Sequence, residues 1–157
     1  MNIKLIAIGK TDNKNLQTLI EDYEKRLSHY IKFEFEIIPD LKKVKHLSEE
    51  QQKEKEGELI LAKTQNSDLL ILLDENGKQM DSVAFSNYLQ KHMNSGIKTL
   101  IFVIGGPYGF SDEVYNRANG KLGLSKMTFS HQMVRLFFIE QLYRGFTILK
   151  NEPYHHR

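Results

Sequence analysis

The sequence predicts an α/β fold with a mostly parallel sheet flanked by helices. Three observations carry this. Short apolar runs suit strands buried on both faces, amphipathic helical stretches separate them, and the two kinds alternate along the chain.

The first strand is "IKLIAI" at 3–8. A helix follows over 15–30, with Leu16, Leu19, Ile20, Tyr23 and Leu27 on one face. The second strand, "FEFEII" at 33–38, alternates and therefore belongs at a sheet edge. After it comes a basic connection, "DLKKVKH" at 40–46, whose simpler reading is a solvated loop and whose sharper one is an RNA contact. A helix over 48–63 opens with Ser48 as cap and carboxylates in its first turn. "LLILL" at 69–73 is the third strand; Asp74 follows, then Asn76-Gly77, a tight-turn signal. A carboxylate at a strand end can hold a ribose hydroxyl, but Asp74 by itself reads more simply as structural. A third helix runs from Ser82 to Asn94 and stops at Gly96, before the fourth strand, "TLIFVI" at 99–104.

At 157 residues the chain makes one domain spanning 1–157. Apolar residues at 40%, charged residues at 27% and only three prolines place it among soluble globular proteins. With no cysteine, disulfides, thiolate nucleophiles and cysteine-based zinc sites are excluded, and no metal is expected. The net charge of +2 exerts no large pull on a polyanion. The opening "MNIKLIAIGK" is too short in its apolar part for a signal peptide, so a cytoplasmic protein is expected.

Ligands of open α/β sheets bind beyond the carboxyl ends of the strands, where Gly105, Gly106 and Gly109 fall. Their spacing is not G-x-G-x-x-G, and no phosphate loop occurs, which removes NAD and ATP as leading ligands. Paired glycines let backbone approach a flat ligand such as a purine. The same residues also suit a plain strand-to-helix turn, with Ser111 as N-cap and Asp112 and Glu113 after it.

From Met133 to Leu149 a helix is apolar on nearly every side, which calls for burial on several faces. Arg135, Glu140 and Arg144 interrupt it, so it is no membrane span, and a two-fold dimer interface accounts for it better. Arg144 pairs with Glu140 at i,i+4. Arg135 stands in the first turn, where a cation opposes the helix dipole; local stability does not explain it, and a ligand role is expected. His131, beside the Ser130 cap, is either a structural hydrogen-bonding group or a base. The tail "NEPYHHR" carries Tyr154, His155, His156 and Arg157 beyond the helix, in a region that usually frays.

Taken together, "DYEKRL" (22–27), "KEKEGELILAK" (53–63), "VIGGPYG" (103–109) and "LSKMTFSHQMVRLFFIEQLYRGFTILKNEPYH" (124–155) resemble the RlmH family of SPOUT-class methyltransferases across essentially the whole chain. The resemblance implies a C-terminal trefoil knot, a homodimer, and methylation by S-adenosylmethionine (SAM) of N3 of a pseudouridine in 23S ribosomal RNA on the assembled ribosome. It assigns the cofactor to Leu73, Gly105 and the stretch Leu124, Ser125, Lys126, Met127, Thr128 and Phe129. His131, Tyr154 and His155 would serve catalysis, and Arg135 and Arg144 would bind substrate. The tail of one subunit would then complete the pocket of the other. The chain departs from the family at Ser130, where a proline is expected, and at the ending His156-Arg157, so Tyr154 and His155 carry over better than Arg157. The rival reading is a non-catalytic ribosome-associated factor with the same fold.

Overall fold

The computed structural model describes residues 1–156. Strand β1 is Asn2–Ile8, β2 Lys32–Ile38, β3 Leu69–Gln79, β4 Thr99–Ile104 and β5 Gly120–Gly123. The helices are α1 Lys14–Leu27, α2 Glu49–Leu61, α3 Ser82–Asn94, α4 Asp112–Arg117 and α5 Met133–Leu149, with a 3-10 turn at Val44–His46.

All strand pairs are parallel, in the order β2-β1-β4-β3-β5. Sequence alternation puts β2 at an edge, and it lies there. The apolar runs divide by parity: Ile3, Leu5 and Ala7 face the core shared with Leu16, Phe85 and Phe138, from α1, α3 and α5. Ile6 and Ile8 face the core shared with Ile60 and Val114, from α2 and α4. A strand with helices on both faces gains from being apolar throughout, which is why β4 from Leu100 to Ile104 is buried without a break.

Two features differ from expectation. β5 is a fifth strand, whose sequence "GKLG" is too short and too glycine-rich to signal one. β3 continues past Leu73 through an irregularity to Lys78 and Gln79, so Asn76-Gly77 lies inside an extended strand and is no tight turn. There β3 and β5 approach backbone to backbone: a Cβ on Gly77 would stand 2.7 Å from the nitrogen of Gly123.

The long C-terminal helix buries Phe138, Ile139, Leu142 and Phe146, while Met133 and Phe137 are each 40% exposed. Gly145 lets it settle on α3, since a Cβ there would be 3.0 Å from Leu89 Cδ1.

Candidate functional site

Parallel strands put every strand-end loop on one edge, and a cavity of about 450 Å³ opens there. Three stretches wall it: the middle of β3 from Leu73 to Asn76, the glycine turn from Gly105 to Phe110, and the segment after β5. Of the residues expected to hold a cofactor, Leu73, Gly105, Leu124, Ser125, Met127, Thr128 and Phe129 line this cavity, and exposed His131 stands at it too. Lys126 lines an adjoining hollow with Glu75, Asn76, Gly77 and Gln79.

Local bonds shape these walls. Gly109 takes a φ of 84°, and its N–H donates to the Gly106 carbonyl at 3.1 Å, closing the turn. Ser111 caps α4 by accepting from the Val114 N–H, so this loop is both a cavity wall and the strand-to-helix turn. Thr128 donates to Glu75 at 3.0 Å, and the Met127 N–H donates to Ser125 Oγ at 3.0 Å. Met127 itself is 77% exposed. Asp74 is engaged within the chain: it accepts from the Tyr115 hydroxyl at 2.6 Å and from the Asn76 N–H at 2.8 Å. Burial and this bond push the Tyr115 pKa up to about 12.

One residue behind the glycine turn escaped sequence reasoning. Glu56 of α2 is 3% exposed, and its Oε2 accepts from Gln52 Nε2 at 3.2 Å. Its Oε1 is buried without a partner. A side chain at Gly106 would collide with that oxygen. Burial raises the carboxyl pKa, Gln52 opposes the rise and Asp40 adds to it. The available signal was Gly57, a glycine inside a helix, which marks close approach; Ser111 and Val114 fill the space its side chain would take.

Arg135 does not line the cavity. It is 1% exposed, and its guanidinium donates to the carbonyls of His131 and Ile8 and to Thr11 Oγ1, each at 3.0 Å. The expectation that local stability leaves this cation unexplained is therefore corrected: acceptors from the end of β1 hold it, outweighing the unfavourable helix dipole. Burial lowers its pKa, while Asp12 and Asp40 oppose that. The start of α5 is secured by Ser130, whose Oγ accepts from the Met133 N–H at 3.0 Å.

Arg144, Tyr154 and His155 meet one another, though not the cavity of the same chain. Arg144 donates to Glu140 at 2.6 Å and to His155 Nδ1 at 3.1 Å, with its guanidinium 4.8 Å from the Tyr154 ring centre. The Tyr154 hydroxyl donates to Glu140 at 2.9 Å and lies 3.1 Å from that of Tyr23. Burial and these bonds raise its pKa. The group stands about 15 Å along α5 from Val134, which touches the cavity. Arg157 lies outside the described residues.

An α/β chain with a backbone-walled cavity at its strand ends matches the family described as "Predicted SPOUT methyltransferase" over residues 1–155. The chain belongs to the SPOUT methyltransferase family. It is 80% identical to a protein of Flavobacterium psychrophilum over 157 residues, the whole of both chains, and 77% identical to one of Flavobacterium johnsoniae over the same span. A protein of Parabacteroides distasonis is 62% identical over 156 residues, 99% of each chain. All three are called ribosomal RNA large subunit methyltransferase H. A solved SpoU methyltransferase, AviRb of Streptomyces viridochromogenes in complex with AdoMet, superposes with a TM-score of 0.45 at 11% identity. That match covers 90% of this chain and 56% of the other.

Proposed function

We propose that this chain is a cytoplasmic enzyme that methylates N3 of a pseudouridine in 23S ribosomal RNA, with SAM as donor, as a homodimer on the assembled ribosome. The observation that carries the reading is full-length identity of 80% to a relative named as a large-subunit ribosomal RNA methyltransferase. The cavity fits the donor. Its volume of about 450 Å³ falls in the range of small-molecule sites, and its walls offer main-chain groups and apolar side chains. Leu73, Leu124 and Met127 would enclose the adenine faces, with amides and carbonyls of Gly105 and of residues 125–129 reading its edge. The knot that the family implies would bring these stretches together.

When bound, SAM supplies a methyl group made electrophilic by its sulfonium. The protein must orient N3 towards that carbon and accept the imide proton. His131 is exposed at the cavity and takes the role of base. The partner's α5 and tail would bring Arg144, Tyr154 and His155 to the same cavity, where the cation steadies charge developing on the imide. Arg135 is a positioning residue, because it holds the His131 carbonyl.

The test is mass spectrometry of ribosomal RNA from cells with and without the protein, joined by methyl transfer from labelled SAM to purified ribosomes. One pseudouridine should lose its methyl group in the deficient cells. An unchanged 23S RNA, or a SAM-binding protein that transfers nothing to ribosomes, would favour the non-catalytic reading.

A further inference from the structure

The connection "DLKKVKH" has no part in the cofactor cavity, yet it follows β2 and so emerges on the same edge of the sheet. The β1–α1 connection, which holds Lys10, lies between it and the glycine turn after β4, because β1 pairs with both β2 and β4. Adjacent strands stand about 4.8 Å apart, so at the strand ends the two connections leave the sheet about 5 and 10 Å from the glycine turn, both on the same side of the cavity. The β1–α1 connection is also tied to its rim. Gln132, next to His131, donates to the Lys10 carbonyl at 3.3 Å and accepts from the Asp12 N–H at 3.0 Å.

Lys10, Lys14, Lys42, Lys43 and Lys45 are all exposed, and none is in an ion pair among the described residues. Within the two connections four lysines against Asp12 and Asp40 leave a local excess of two charges, as large as the net charge of the whole chain; Lys14 opens α1 beside them, and Glu49 and Glu50 open α2. Both aspartates act on buried Arg135, and the Asp40 carboxylate lies against Gly9. Neither forms an ion pair with these lysines among the described residues. Two placements are locally unfavourable besides: Lys43 takes a φ of 60°, and Lys14 is a cation at the first position of α1. A loop that only needed solvation would not require either choice.

We infer that the β1–α1 and β2–α2 connections form a phosphate-binding platform beside the cavity, which grips the sugar–phosphate backbone of the RNA next to the nucleotide being modified. The inference rests on the reading of an RNA substrate above and names the surface that holds it. Phosphate contacts position without reading sequence, which suits a chain whose specificity lies in the cavity.

The test is co-sedimentation of the full-length protein with purified bacterial ribosomes across a salt series, independent of methyl transfer. The triple variant K42Q/K43Q/K45Q should weaken binding on the order of tenfold at about 0.1 M salt and flatten the log–log salt slope by about 2 to 3. SAM affinity should stay unchanged, and K42R/K43R/K45R should restore binding. K32Q/K91Q/K98Q removes the same charge near the opposite edge and should keep the wild-type slope. An unchanged slope in the first variant, or an equal loss in the control, overturns the platform. An unchanged slope with weakened binding assigns the loop to a protein contact and overturns it too. Salt-dependent ribosome binding without methyl transfer would instead leave the platform standing and remove the catalytic reading.

Discussion

Arg144 Nη1 and His155 Nδ1 stand 3.1 Å apart, tying the tail of the chain to α5. A guanidinium only donates, so Nδ1 is the acceptor and the ring proton sits on Nε2. The tail is thus a docked element with a defined tautomer. Deleting residues 152–157 should lower methyl transfer on the order of 10²-fold or more while SAM affinity, read by titration calorimetry, stays within about twofold. Full turnover in the truncated protein would remove the tail from the active site.

Arg135→Met leaves the carbonyls of Ile8 and His131 and the Thr11 hydroxyl without their donor in a buried setting. The expected loss is about 3 to 5 kcal/mol, seen as a fall in Tm of roughly 10 °C. Arg135→Lys should recover little of it, because one ammonium cannot span three acceptors in the same fork geometry. A Tm within about 2 °C of wild type would contradict the structural role.

Glu56 gives stability a particular pH dependence. Its folded pKa is raised by burial above the ordinary carboxylate value, so its contribution is fully present below that value and is lost as pH rises through the folded pKa. Glu56→Gln removes the titration. The Tm of wild type minus that of the variant should fall as pH increases from about 4.5 towards neutrality. A difference that is flat, or that rises with pH, would show that the carboxyl is not desolvated.

The same carboxyl constrains the glycine turn. Gly106→Ala should cost about 1 to 3 kcal/mol by overpacking and weaken SAM binding, as the turn is pushed into the cavity. In the double variant with Glu56→Ala the two effects should fall short of additivity by about 1 kcal/mol or more, measured by denaturant melts. Strict additivity would mean that the two positions do not meet.

The periods of the apolar runs made four strands and the main helices legible, because β1, β3 and β4 are covered on both faces and β2 on fewer. β5 was not legible: four residues, two of them glycine, hold their place by pairing with β3, and that pairing leaves no mark in local propensity. The same limit hid the reason for Arg135. Its acceptors Ile8 and Thr11 lie more than 120 positions away in sequence, so a helix-dipole argument confined to α5 pointed to a ligand. The cavity walls were better signalled, by glycines after a buried strand and by motif resemblance after β5. The resemblance singled out Arg144, Tyr154 and His155, but their mutual contact depends on how the tail folds back.

The backbone contact between Gly77 and Gly123 decides how the cavity can breathe. Neither position has room for a side chain, so the β3 and β5 walls are clamped together and act as a fixed jamb. Entry and exit of a ligand must then be accommodated by the glycine turn and by the segment bearing exposed Met127. Substitutions that stiffen those two stretches should slow exchange of the ligand, whereas substitutions at the clamp should unfold the wall itself.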